Sequence, residues 1–380
     1  MVKILHTADV HLGAKFAVLG ERAEAYRQQL KKTFAKIIDL ALTKKVGLFL
    51  VAGDLFDANF PAATTISFVK SEFKRLAEKD ILVVILPGTH DCLNSESIYW
   101  REDFGKNVFV FQQAGSHVVL ELDLTVWAKP NMANQSSESP LDFGDIERGN
   151  KSGEKTKYNI ALAHGSVIGL AAKVDEQQFP MTKEAIVSSK FDYIALGHWH
   201  SLRQAKELAG KACYPGSPEP LNFSQTDAGY VALVELIETG VKVETVKVGV
   251  IEFDELTIDL GLYESLEEIK AIILKGFSGN LCRQVKLQGI VGANLAVDWQ
   301  EIETELDEKF FRLKIVDNAQ GLVDSAEADA SQYPSELVIG QFNQLMQEKI
   351  KTATDEKQKR IISLAAKMGL AALQNSGFQF

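Results

Sequence analysis

His6-Thr7-Ala8-Asp9-Val10-His11-Leu12-Gly13 follows directly on the apolar run Val2 to Leu5, so a carboxylate and an imidazole stand two residues apart where a strand gives way to a loop. The same arrangement recurs along the chain. Gly53-Asp54-Leu55-Phe56-Asp57 closes the run Leu48 to Ala52, and Gly88-Thr89-His90-Asp91 closes Ile81 to Leu86. His164-Gly165 closes Ile160 to Ala163, and Gly197-His198-Trp199-His200 closes Tyr193 to Leu196. His117 lies outside these stretches and His6 precedes the Asp9-x-His11 pair; the other histidines all stand at the strand-to-loop donor positions. Taken singly, each cluster reads more readily as a satisfied polar strand end than as a set of ligands. Their ordered recurrence reverses that reading and predicts strands that deliver their donors to one common edge.

Mixed carboxylate and imidazole donors without cysteine suit Mn, Fe, Zn or a similar divalent ion, whereas Ca and Mg favour all-oxygen shells. Donors two apart share a face on a regular strand, so Asp-x-His and His-x-His are each expected to aim both side chains at one ion. One carboxylate can bridge two ions about 3.5 to 4 Å apart. Asp54, in the second cluster, is the natural bridge.

The ordered set Asp9-x-His11, Gly53-Asp54-x-x-Asp57, Gly88-Thr89-His90-Asp91, His164 and Gly197-His198-x-His200 resembles the signature of the calcineurin-like metallophosphoesterases. Within that superfamily the chain is similar to SbcD-like nucleases of double-strand-break repair. The similarity rests on the strings around Asp9 and Asp54 and on Tyr214-Pro215-Gly216-Ser217-Pro218-Glu219-Pro220-Leu221-Asn222-Phe223. It covers residues 1 to 250 by motif. The resemblance implies a β-sandwich flanked by helices, a four-layer α/β/β/α fold, followed by a small α/β capping domain and a C-terminal helical tail.

Carried over by position, the resemblance implies that Asp9, His11, Asp54 and His200 hold one ion, and that Asp54, His164, His198 and residue 89 hold a second. The ions are expected to be Mn2+, with Zn, Fe or Mg as alternatives. His90 is implied to face the substrate phosphate and to protonate or stabilise the leaving oxygen, supported by Asp91. The family has asparagine where this chain has Thr89, a hydroxyl of shorter reach and poorer donor strength. A weaker second metal site is therefore expected.

The chain has 380 residues, 46% of them hydrophobic, which is enough for two or three domains and a sizeable core. No apolar run approaches the roughly 20 residues of a membrane span. The start enters a strand directly, without the apolar stretch and cleavage site of a signal peptide. Cys92, Cys213 and Cys282 are widely spaced, with no C-x-x-C pair, which fits a reducing cytoplasm. A formal net charge of -10 weighs against strong nucleic-acid binding but does not exclude it, because metal ions supply positive charge at the site.

Periodicity predicts a helix over Glu21 to Val46, strand Gly47 to Ala52, helix Thr64 to Glu78, strands Ile81 to Leu86, Val108 to Phe111 and Val118 to Ala128, and a hairpin about Thr239-Gly240. Asn131 to Lys157, rich in Ser, Asn, Gly and charge, reads as an exposed insertion. Domains are expected at 1–250 (nuclease), 251–322 (capping) and 323–380 (helical tail). The tail follows the acidic spacer Asp324 to Asp329 and carries apolar stripes through Leu337, Phe342, Leu345, Met346 and Ile350 and through Ile361, Ile362, Leu364, Ala365, Met368 and Leu373.

The resemblance implies DNA as substrate, an SMC-like coiled-coil ATPase of the SbcC type docked on the tail, and a homodimer. Lys15, Phe16 and Asn59 are the expected DNA contacts, with Phe60, Asn94 and Arg101 also placed near the rim. The function expected is a metal-dependent DNA exonuclease and endonuclease acting at DNA ends. Two readings compete with it: a phosphodiesterase or nucleotidase for a small molecule, and a DNA-end or partner-binding scaffold weakened by Thr89.

Overall fold

A computed structural model describes residues 1–380 except 144–155, 171–175, 204–207, 209, 226, 264, 292–296, 322–333, 335–336 and 376–380. The acidic spacer Asp324 to Asp329 therefore lies outside the described residues, as does much of the expected insertion after Asn131. The chain divides into two compact units, Met1–Phe253 and Asp254–Phe380. The fold is mixed α/β.

The first unit holds two sheets. In the first sheet, β1 (Val2–Thr7), β2 (Leu48–Ala52), β3 (Leu82–Leu86) and β4 (Val108–Val110) run parallel, with α1 (Ala23–Lys44) and α2 (Ala63–Ala77) in the crossovers. A four-residue helix, α3 (Ile98–Arg101), precedes β4. The second sheet orders β5 (Gly115–Val119), β6 (Leu124–Ala128), β7 (Tyr158–His164), β8 (Tyr193–Gly197) and β9 (Ala212–Cys213), with helix α4 (Lys183–Ser188) before β8. The hairpin β10 (Tyr230–Ile237) and β11 (Gly240–Lys247) then returns to the first sheet, β10 pairing antiparallel with β1.

Strand alternation places the layers. Leu48, Leu50 and Ala52 of β2 share one core with Ile160 and Leu162 of β7 and Tyr193 and Ala195 of β8, so this face of each sheet looks toward the other. Phe49, between Leu48 and Leu50, points the other way and meets Phe34 of α1 and Phe73 of α2 at ring distances of 6.5 and 6.4 Å. On the outer side of the second sheet, Trp127, Ala161 and Ile194 pack with Ile186 of α4. The order is helix, sheet, sheet, helix.

Some boundaries differ from the sequence reading. The first helix begins at Ala23, because Ala17–Arg22 forms a tighter 3-10 turn. The stretch read as one strand, Val118 to Ala128, is two antiparallel strands, β5 and β6, reversed at Asp123 with φ 50°. Asp tolerates this left-handed conformation, which the apolar pattern around it does not reveal.

The second unit contains β12 (Glu252–Asp259), which begins within the first, beside β13 (Leu281–Gln288), itself parallel to β15 (Arg312–Asp317). A short parallel pair, β14 (Ile290–Val291) and β16 (Gln320–Gly321), accompanies them. Ile269 and Ile273 of α5 (Leu266–Ile273) and Ile302 and Leu306 of α6 (Trp299–Asp307) complete a core with Val285 and Leu313. This unit also takes in the tail helices α7 (Val338–Thr352) and α8 (Glu356–Asn375), which pack together with Gly369 under the Phe342 ring. Among the described residues, no helix is long and apolar enough to cross a membrane.

Candidate metal centre

The loops after β1, β2, β3, β7 and β8 converge at one edge of the sandwich and bring the donor clusters together. The donors after β1 do not sit on a regular strand, as the spacing alone would suggest. Asp9 and His11 lie beyond the last residue of β1, each with φ 52°, and Asp54 has φ 51°. Left-handed backbone costs roughly 1–2 kcal/mol at each such residue. Pairing between the two loops holds it in place: Asp9 N–H donates to Gly53 O at 3.1 Å, and His11 N–H to Asp54 O at 3.0 Å.

Asp54 lies at the middle. Its Oδ1 accepts the His90 N–H at 2.8 Å. Its Oδ2 lies 3.1 Å from Thr89 Oγ1, 3.2 Å from His164 Nε2 and 3.7 Å from His11 Nε2, between two imidazoles that come from different sheets. The chain can approach this closely only through glycine, since a Cβ on Gly88 would stand 2.2 Å from Asp54 Oδ1. Thr89 therefore reaches the donor cluster, its hydroxyl also lying 3.4 Å from His164 Nε2.

The imidazoles are oriented from behind. His11 Nδ1 donates to Asp57 Oδ1 at 3.2 Å and His164 Nδ1 to Ala52 O at 2.9 Å, which turns each Nε2 inward. The Gln225 carboxamide fixes His200 through its Nδ1 at 2.6 Å, and His200 Nε2 lies 3.2 Å from His11 Nε2. Asp9, His11 and His200 thus form one group with donor atoms close enough to share an ion, and Asp9, Asp54 and His164 form another. Inward-facing nitrogens and carboxylates with their outer atoms already engaged are the donor set that a divalent transition metal requires, so the residues fit it.

His198 contributes differently. Its backbone N–H donates to both carboxylate oxygens of Asp9, at 2.9 and 3.0 Å. Its ring packs edge-on against His164 with centroids 5.2 Å apart and falls outside the close donor groups found among the described residues.

His90 is the exposed member. Its Nδ1 donates to the Asp57 carbonyl at 3.1 Å, and its ring stands edge-on to His11 with centroids 4.6 Å apart. With His11 and Asp57 it makes a third close group, at the rim, that excludes Asp54. Asp91, expected to support His90, is turned away. The Asp91 carboxylate accepts from Gly88 N–H at 2.8 Å, Phe56 N–H at 3.1 Å and the Tyr99 hydroxyl at 2.6 Å, so it shapes the loop and does not touch the His90 ring. The carboxylate near His90 is Asp57, 3.8 Å from Nδ1.

Of Lys15, Phe16 and Asn59 only Lys15 is exposed, while the rim candidates Phe60, Asn94 and Arg101 are all exposed. Phe16 is buried, its ring 4.5 Å from Tyr26. Asn59 is also buried, donating to Cys92 O at 2.9 Å and accepting from Ile98 N–H at 3.1 Å, although its edge lines the cleft. Asn131, read as the start of an exposed insertion, is buried and ties together the loops after β3 and β7. It donates from its backbone N–H to Pro87 O, accepts from Leu93 N–H, and donates from its side chain to His164 O at 3.1 Å. Asp57 stood within a quoted motif, but nothing local in the sequence marks Asn131 or Gln225.

The electrostatics suit a cation. Burial pushes the Asp9 carboxyl up to about 7. Burial works to lower His164, but the Asp54 charge and hydrogen bond outweigh it and raise the imidazole to about 9. Burial and neighbouring His164 hold His198 down to about 3. A metal must displace the protons on Asp9 and His164, so its affinity is expected to climb as pH rises toward about 9. Titration calorimetry with Mn2+ in buffers of differing ionisation enthalpy checks this; a pH-independent constant with no proton release refutes it.

A cleft of about 720 Å³ opens beside the donors, lined by Thr89, His90, Asn94, Met132, Gln135 and Gln178 among others. A second of about 450 Å³ adjoins it over Asp54, His198, His200 and Arg203.

The profile of the calcineurin-like phosphoesterase family matches residues 2–202. The chain is 27% identical over 309 residues to the uncharacterized metallophosphoesterase YhaO of Bacillus subtilis (strain 168), covering 75% of this chain and 71% of that one. It is 24% identical over 286 residues to the DNA double-strand break repair protein Mre11 of Sulfolobus acidocaldarius, covering 72% and 70%. Among solved structures, TT1561 of Thermus thermophilus aligns over 65% of this chain and 99% of its own, at 15% identity and a TM-score of 0.41.

Proposed function

Because the chain belongs to the calcineurin-like phosphoesterase family, whose chemistry is metal-dependent phosphoester hydrolysis, we propose that it is a nuclease cleaving phosphodiester bonds at DNA ends. The observation that carries this reading is the placement of His90. It is exposed on the cleft, anchored through Nδ1, and bonded through its backbone to Asp54 without itself completing the donor group around that residue. A histidine so placed can hold a proton at Nε2 over the leaving oxygen while the carboxylates remain committed to the metal. Two divalent ions, Mn2+ in our reading, would be held by Asp9, His11, Asp54 and His200 and by Asp54, His164 and Thr89. When bound, they would polarise the phosphoryl oxygens and lower the pKa of the attacking water.

DNA as the substrate draws its support from relatives named as Mre11 repair proteins, at 23% to 25% identity in several archaea. In this reading the protein acts in the cytoplasm, as a homodimer, with an SMC-like ATPase on its tail. Exposed Leu337, Val338, Leu345 and Ile361 on and beside α7 and α8 support a partner surface there. A small-ester phosphodiesterase is favoured by one observation only: the larger cleft has no Lys or Arg in its lining. The scaffold reading is weakened by the reach of the Thr89 hydroxyl to Asp54.

The test is Mn2+-dependent degradation of end-labelled linear duplex and single-stranded DNA, with bis(p-nitrophenyl) phosphate alongside. Wild type is expected to cut DNA. Thr89→Asn, which lengthens the neutral donor, is expected to saturate at about tenfold lower Mn2+, the lower end of the effect of altering a residue that tunes a metal site. Cleavage of the small ester alone selects the phosphodiesterase. DNA cleavage by Thr89→Asn but not by wild type selects the scaffold.

A further inference from the structure

The rim of the cleft carries aromatic surface that the hydrolytic machinery does not use. Phe60 is 65% exposed and Trp100 is 49% exposed, yet neither hangs free. The Arg101 guanidinium lies over the Phe60 ring, its carbon 4.5 Å from the centroid, and donates from Nη2 to the carbonyl of Asn59. The Trp100 indole N–H donates to the Asn94 carbonyl at 3.0 Å. Asn59 and Asn94 both line the cleft with Thr89 and His90, and their side chains meet at 3.4 Å. Helix α3, which carries Trp100 and Arg101, is tied to the loop of His90 by the Tyr99 hydroxyl on Asp91. The result is a set of planar groups fixed at the mouth of the cleft, exposed to water at a cost in solvation that a rigid anchor does not relieve.

Resting on the nuclease reading above, we propose that Phe60, Arg101 and Trp100 form a stacking platform for the bases of an unpaired DNA strand whose backbone enters the cleft at His90. Charge argues for this occupant. A chain of net charge -10 with an uncharged cleft wall is poorly suited to tracking a duplex by its phosphates. Base stacking on rings and guanidinium planes tolerates any sequence, because every base has a π-face, and adds binding energy that does not come from phosphate contacts. Among the described residues Arg101 makes no ion pair, so its cation is available to the strand as well as to the ring. The amides of Asn94, Asn134, Gln135 and Gln178 supply donors and acceptors to base edges farther in.

The full-length protein with Mn2+ is assayed on a labelled single-stranded 12-mer and on an abasic sugar-phosphate strand of equal length. Phe60→Ala and Trp100→Ala are each expected to raise KM on the base-bearing strand about tenfold, with kcat and the abasic strand unaffected. Phe60→Tyr, which keeps the ring, should restore the wild-type KM. Fluorescence anisotropy of both strands in EDTA reads the platform without catalysis and separates it from the nuclease reading. Preference for the base-bearing strand in EDTA that is lost in Phe60→Ala supports the platform even if no DNA is cut. Equal affinity of wild type for the two strands, or equal losses on both in the variants, overturns it, as does a dinucleotide that binds as tightly as the 12-mer.

Discussion

Asp54→Asn is expected to cost the protein about a thousandfold or more in metal-dependent phosphodiester hydrolysis, since the several kcal/mol of transition-state stabilisation that metals supply depend on this charge. No other carboxylate lies within 3.7 Å of both His11 Nε2 and His164 Nε2 through one oxygen among the described contacts. The substitution keeps an oxygen toward one side but removes the charge that shared coordination needs, and it replaces the partner that holds His164 up to about 9. His164 should then titrate lower. Metal content after gel filtration and the rate on bis(p-nitrophenyl) phosphate should fall together. Full activity with two bound ions would show that Asp54 does not bridge.

His90→Ala is expected to lower DNA cleavage by about 10²- to 10⁴-fold, the range for loss of a general acid. Metal content should stay at the wild-type level, because His90 meets Asp54 through its backbone N–H, which the substitution retains. The discriminating comparison is between leaving groups. A DNA alkoxide needs a proton as it departs and p-nitrophenolate does not, so the loss on bis(p-nitrophenyl) phosphate should be much smaller than the loss on DNA. Equal losses on the two substrates would make His90 a phosphate-positioning group and not a proton donor.

Much of the architecture was legible because apolar runs and donor clusters alternate with little noise. The runs ending before Asp9, Asp54, Thr89, His164 and His198 mark parallel strands, and in such sheets the strand ends carry the site. The limits of that reading are physical. Asp91 adjoins His90 in sequence, yet its carboxylate turns to Gly88, Phe56 and Tyr99, because successive residues in a loop need not face one another. Phe16 beside Lys15 looked like rim, but α1 places Tyr26 against it and draws it into the core. Asn131 and Gln225 serve histidines 33 and 25 residues away, and contacts at that range leave no trace in local composition.

The left-handed backbone at Asp9, His11 and Asp54 constrains what this centre can become. Asp, Asn and His are the non-glycine residues that enter that conformation most readily, and they are also residues able to coordinate a divalent ion. The vocabulary permitted by the loop geometry and the vocabulary permitted by the chemistry therefore nearly coincide. Evolution can trade one donor for another at these positions without rebuilding the loops, and so can shift metal preference by single steps. It cannot easily retire the site, because an aliphatic replacement disrupts the turn as well as the coordination. An alanine scan here would confound the two effects, whereas exchanges among Asp, Asn and His keep the turn and report on the metal alone.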